Sequence, residues 1–211
     1  MWNRKSITLA VASLFPGILT SCVYTTYPVS NEKTSTIDGR LIGTWKPEKT
    51  ERDPFATDSF SMIGRKKGTQ NTLEIVTVTM GLDHTLKVDR FAMYAHTGKT
   101  KYLSIQIKPD AEAYLIFRYA MADERTLLIY SPKMQMFEQA VRKGDLHARQ
   151  EALPNAKVGT TNDPDRSAKD VPIDVRVITD PPEVLLRFLE ENNNKCFEDR
   201  PSVLKKIEVR P

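Results

Sequence analysis

Histidine and cysteine are scarce in this chain, with three of the first and two of the second among 211 residues. His84, His96 and His147 show neither H-x-H nor H-x-x-x-H spacing, so no metal site and no cofactor is expected. There is no G-x-S-x-G, no phosphate-cradling glycine loop and no G-x-G-x-x-G. A nucleophilic Cys196–His pair would need a third group to orient the base, and Cys196 sits among Asn and Lys in a helix-to-strand link. The expectation is therefore a chain that is not an enzyme. Charge of one sign is not in excess either: 31 cations face 27 anions, which gives nucleic-acid binding no support. Long apolar runs are missing as well. The longest, Ile7 to Leu19, covers 13 residues against the roughly 20 that span a bilayer, and Pro16-Gly17 interrupts it.

The N-terminus nevertheless has the parts of a secretory leader. Arg4 and Lys5 supply positive charge, the short apolar run follows, and Ser21 is the small residue before a cut. Leu19-Thr20-Ser21-Cys22 resembles the lipobox of bacterial lipoproteins. That resemblance implies cleavage between Ser21 and Cys22, with residues 1–21 removed as a signal peptide. It also implies a lipidated Cys22 carrying a thioether-linked diacylglycerol and an amide-linked acyl chain. Several acyl chains make a stable anchor where one is only reversible. Val23 after the cysteine, in place of Asp, is compatible with the periplasmic face of the outer membrane. The rival reading is an ordinary cleaved signal peptide with Cys22 a mere early residue. Removing the leader takes away two cations and no anion, leaving a net charge of +2. A lipidated Cys22 leaves Cys196 without an intramolecular disulfide partner.

Residues 22–37 are polar without a clear period and read as a flexible tether. The rest, 38–211, is long enough for one packed domain. Its pattern is strand after strand between short polar turns. Ser59–Ile63, Leu73–Met80 and His84–Ala95 come first. Tyr102–Ile107, Glu112–Met121 and Thr126–Tyr130 follow. Between Ser59–Ile63 and Leu73–Met80, Gly64-Arg65-Lys66-Lys67-Gly68 reads as a turn whose cations are solvated or touch anionic headgroups. Within His84–Ala95 the apolar phase shifts: Leu86 and Val88 share one parity, Phe91, Met93 and Ala95 the other. An extra residue flips strand faces, so a bulge is expected near Asp89-Arg90. Glu112–Met121 is apolar on both parities, which implies cover on both faces.

The pattern then changes to helical. Ser131 as cap and Pro132 at the first position open a helix carrying Met134, Phe137 and Val141, and Gly144 ends it. Residues 154–172 read as a long loop and Asp174–Thr179 as a short strand. Asp180 as N-cap with Pro181-Pro182-Glu183 opens a second amphipathic helix, which Asn192-Asn193-Asn194 stops. Val203–Val209 is the closing strand. The fold class is mainly β, an up-and-down antiparallel sheet or barrel with two amphipathic helices.

Gly43-Thr44-Trp45, at the head of this series, resembles the Gly-x-Trp signature of lipocalin-like (calycin) barrels. The resemblance implies the barrel, with Trp45 closing one end of it and a late basic residue, Arg210 or Lys206, packing across it. The layout over 39–210 is similar to that of uncharacterised bacterial lipoproteins with a lipocalin-like body, a family that supplies no established activity. Phe91, Met93, Tyr114, Phe117 and Tyr119 either line a ligand site or simply fill the core. Two functions follow as expectations. One is an envelope protein, membrane-bound through its lipid anchor, holding a small hydrophobic or amphipathic ligand. The other is an interaction protein of the envelope with a filled barrel and a protein partner.

Overall fold

The strands expected from alternation form, and they close on themselves. A computed structural model describes residues 23–48, 59–80, 85–107, 113–153 and 173–208. Its strands are β1 (Tyr24–Thr25), β2 (Gly43–Pro47), β3 (Ser59–Arg65), β4 (Leu73–Met80), β5 (Leu86–Thr97) and β6 (Lys101–Gln106). They continue with β7 (Tyr114–Asp123), β8 (Thr126–Tyr130), β9 (Ala148–Leu153), β10 (Ile173–Ile178) and β11 (Ser202–Ile207). Three short helices accompany them: α1 (Met134–Lys143), α2 (Pro182–Glu191) and α3 (Asn193–Cys196). Strands β2 to β8 pair antiparallel in chain order, and β11 pairs with both β8 and β2, closing an eight-stranded barrel. Following hydrogen-bonded partners once around returns to β2 twelve residues further along. That stagger tilts the strands by about 45° and sets a barrel radius of about 8–9 Å, the size that holds packed side chains or one small ligand.

Two apolar layers result. Inside the barrel lie Trp45, Ile75, Phe91, Met93, Ile105, Leu115 and Phe117, all buried. Outside it, Tyr102 on β6 and Ile116 on β7 are wholly buried beneath α1, α2 and α3, through Phe137, Leu185, Leu189 and Cys196. This second layer explains why residues 114–121 are apolar on both parities. Phe137 and Phe188 meet edge-on at 5.7 Å, a favoured aromatic geometry.

Four expectations are corrected. The segment 23–37 is not a free tether, since β1 pairs with the first two residues of β7 and with β10. Val23, Thr25, Val29, Ser30 and Ser35 are buried. Hydrogen bonds hold this strap: Val29 N donates to Ser104 Oγ at 2.9 Å, and Ser35 Oγ donates to Ala95 O at 3.1 Å. Second, β5 has no bulge near Asp89-Arg90; it pairs with β4 unbroken from Leu73↔Met93 to Met80↔Leu86. The register irregularity lies on β7, between Met121 and Asp123. Third, neither helix uses its expected cap. Lys133 precedes α1, because Pro132 bridges to Phe197 and Ser131 O accepts from Glu198 N at 2.8 Å. Pro181 precedes α2, and Asp180 turns to His147 instead. Fourth, Ala148–Leu153 forms a strand that alternation did not announce, as the antiparallel partner of β10. Gly144 does end α1, at φ 80°, a conformation glycine adopts at little cost. Ser21, Cys22, His84, Arg210 and the loop 154–172 lie outside the described residues.

Candidate functional site

The barrel has two unlike ends, and the difference is written in its side chains. At the end where β2 begins, a 3-10 turn (Gly39–Leu41) seats Leu41 and Trp45 in the core, both fully buried. Trp45 Nε1 donates to Leu41 O at 2.7 Å. Lys206 lies over the Trp45 ring, its Nζ 5.3 Å from the centroid. Of the two late basic residues expected as the partner, Lys206 takes the place. Gly43 allows it. The backbone there has φ 149°, and a Cβ would sit 2.3 Å from Lys206 Cε.

Asp38 completes this closed end. Its carboxylate accepts from Arg40 at 2.7 Å, from Lys101 at 3.0 Å and from Tyr119 Oη at 3.4 Å. The Arg40 hydrogen bond, aided by Lys101, holds the Asp38 carboxyl well below the usual carboxylate range, against the cost of burial. Burial, followed by the nearby Asp38 charge, pushes the Tyr119 phenol up. A cleft of about 660 Å3 lies outside this end, lined among others by Arg40, Arg125 and Glu208. Its cations are engaged: Arg40 with Asp38 at 2.7 Å and Arg125 with Glu208 at 2.9 Å.

From Ser61, the cross-strand partner of Trp45, up to the opposite end, the lumen has two chemically distinct walls. Strands β3 to β5 turn Ser59, Ser61 and Thr77 inward, exposed by 5%, 2% and 0%. Ser61 and Thr77 hydroxyls meet at 3.3 Å. Lys87 and Asp89 share that parity, with Lys87 Nζ 3.4 Å from Asp89 Oδ2. That oxygen is buried and makes no hydrogen bond among the described residues, and burial raises the Asp89 carboxyl, with Lys87 opposing. The facing strands β6 and β7 instead supply buried Ile105, Ile107 and Leu115.

Of the five residues expected to line a ligand or fill the core, Phe91, Met93, Phe117 and Tyr119 are buried inside the barrel. Met93, at 0% exposure, and Phe117, at 1%, are packed core. Tyr114 lies on the other face, half-buried, its ring edge-on to Tyr94 at 6.1 Å. Residue 114 has the parity of Ile116, and the strand alternates without a break between them.

The histidines and the cysteine separate. His96 accepts or donates at Nδ1 with Ser30 Oγ at 3.0 Å, tying the strap to β5, and burial lowers its pKa. His147 is held by Asp180, through its N–H at 2.6 Å and its Nδ1 at 2.9 Å. Sequence reading missed this pair; its partners are 33 residues apart, and no local motif announces it. Cys196 is fully buried, and that burial pushes its thiol up to about 11, which suppresses the thiolate that nucleophilic chemistry needs. Among the described residues no cluster of three or more His, Cys, Asp or Glu side chains could hold a metal ion. None of the described helices is long and apolar enough to cross a membrane. No protein-family model matches the chain, and neither a curated protein nor a solved structure matches it.

Proposed function

We propose that this chain is a lipid-anchored protein of the bacterial envelope whose barrel takes a small amphipathic molecule at the end opposite Trp45. The role is binding, not catalysis. The observation that carries the reading is the split lumen at that end. Ser61 beside Trp45 and, beyond it, Ser59, Thr77 and Asp89 offer hydroxyls and a carboxyl from one wall, and Ile107 and Leu115 offer apolar surface from the other. A ligand with a polar head and an apolar body matches both walls, and buried polar groups of this kind set orientation in small-molecule sites. The filled half beside Trp45 acts as the floor. The leader and Leu19-Thr20-Ser21-Cys22 support the anchor.

Native mass spectrometry of residues 23–211, made without the anchor and without detergent, tests the binding role. These residues contain every described strand and helix. An adduct that organic solvent extracts and that Ser61→Leu/Thr77→Leu abolishes is the expected result. A clean apo mass after incubation with envelope lipid extract would overturn it. Labelled palmitate incorporated into the full chain, and lost in Cys22→Ser, tests the anchor separately. The second reading, an interaction protein, draws on a different observation: Leu86 and Val88 stand exposed on the outer face of β5.

A further inference from the structure

Strands β3 to β5 invert the usual polarity of a soluble barrel. Their inward positions from Ser61, beside Trp45, to the far end include Ser59, Thr77, Lys87 and Asp89, whereas the outward positions between them are apolar. Val78 pairs with both Phe60 and Val88, and Met80 pairs with Leu86, so these outward side chains form one continuous surface. Leu86 is 68% exposed, Val88 55%, Met62 40% and Met80 38%. Apolar-out and polar-in alternation is the pattern of a strand that faces lipid.

We infer that this β3–β5 rim, from Phe60 and Val78 to Leu86, seats in the acyl region of one leaflet of a lipid bilayer. It rests on the membrane-anchored reading for its location, not for its chemistry. Four observations favour lipid over another occupant. First, the alternation runs over three adjacent strands, polar inside and apolar outside, as in strands that face lipid. Second, only four apolar side chains stand strongly exposed on this wall, Leu86, Val88, Met62 and Met80, too few on each of two copies for the roughly 1,200 Å2 that a stable interface buries. Third, Val76 to Met80 covers about 13 Å along its strand and about 10 Å along the barrel axis. That depth fits within one leaflet of about 15 Å and cannot cross two. Fourth, the described elements outside the barrel cover another wall: β1 pairs with β7, and the helices pack over Tyr102 on β6 and Ile116 on β7, which leaves the rim of β3 to β5 bare. The basic turn Arg65-Lys66-Lys67 sits at the other end, beside Trp45, since Arg65 follows Ile63, the partner of Gly43.

The charges next to the surface are balanced. Arg90 and Glu74, the next outward residues, pair with each other at 3.3 Å. Seating therefore runs on apolar contact: neutral phosphatidylcholine suffices, and added salt leaves it unchanged.

The test uses residues 23–211 with Leu86→Trp, Val88→Trp or, at the opposite end, Lys67→Trp, mixed with phosphatidylcholine vesicles that carry bromine on their acyl chains. Bromine quenches indole only on contact. The expected result is quenching at positions 86 and 88, none at 67, and the same outcome at high salt. Val88→Asp lowers the vesicle partition coefficient roughly tenfold or more. No quenching at 86 and 88 overturns the proposal. So does quenching at 67 alone on anionic vesicles, which would turn the basic end to the membrane. A dimer that sediments without lipid and dissolves with Val88→Asp would give the surface to a second copy. Palmitate labelling at Cys22 reports the anchor independently, so an unlabelled chain with a quenched Leu86→Trp sinks the anchor and leaves the lipid-facing rim standing.

Discussion

Replacing Gly43 by Ala probes the closed end of the barrel most sharply, because two separable effects meet there. The backbone at residue 43 has φ 149°, a region that side chains rarely adopt and that costs about 1–2 kcal/mol for a non-glycine residue. The new Cβ would also fall 2.3 Å from Lys206 Cε. The end of a lysine moves easily, so the clash is relieved by Lys206 leaving the face of Trp45. What is lost is the cation over the ring, worth about 0.5–1 kcal/mol at a partly exposed site. Gly43→Ala should therefore cost about 1.5–3 kcal/mol in total. In a Lys206→Ala background the second effect has already gone, and the same substitution should cost only its backbone part. The cycle predicts a coupling of about 0.5–1 kcal/mol between the two positions. Urea unfolding of residues 23–211 reads it directly through Trp45, the one tryptophan left once Trp2 is absent. Equal costs in the two backgrounds would refute the claim that Gly43 makes room for Lys206. A neutral Gly43→Ala would refute the backbone argument as well.

Three further outcomes follow from the same geometry. Asp38→Asn should cost about 1–3 kcal/mol at neutral pH, since it strips a charged acceptor from Arg40 and Lys101. The Asp38 carboxyl titrates lower in the folded chain than in the unfolded one. Its stabilisation is therefore complete above the ordinary carboxylate range near pH 4 and fades as pH falls below it; urea midpoints of the two proteins should converge on acidification, and a constant gap would contradict the assignment. Val29→Asp should cost about 3 kcal/mol or more by burying an unpaired charge, where a free tether would tolerate it within about 0.5 kcal/mol; thermal unfolding decides between them. Cys196 should resist iodoacetamide in the native state and react on unfolding, and modification of the folded protein would show that the helical layer opens.

The closed end was legible because its residues obey local rules. Gly43-Thr44-Trp45 and a late basic residue, Arg210 or Lys206, point by resemblance to a plugged barrel end, and Trp45 is buried there with Lys206 over its ring. The strand series was legible for the same reason, since alternation and turn residues act over a few positions. The strap was not, because Val29, Ser30 and Ser35 are buried through hydrogen bonds to Ser104, His96 and Ala95, and a polar segment so satisfied looks identical in sequence to one left in water. The helix caps failed in a similar way: Asp180 has the right residue type at the right place, yet His147 offers it a better partner than the first turn of α2.

The phase shift in β5 is the most instructive case. Sequence showed correctly that Leu86 and Val88 sit out of step with Phe91 and Met93. The inference of a bulge followed only if apolar side chains always face inward. The unbroken β4–β5 register removes that assumption: the strand stays regular, and the environment changes sides along it. Toward Trp45 the inside is dry and packed; toward Leu86 the polar residues turn inward and the apolar ones outward. A bulge would have cost a ladder position to keep Leu86 and Val88 in the core. The chain instead keeps that ladder in register and leaves an apolar face exposed, the kind of surface that marks an interaction site. The two halves of the barrel thus differ in chemistry: the Trp45 half is a packed core, and the Leu86 half turns polar side chains inward and apolar ones outward, the arrangement on which the ligand and lipid proposals both rest.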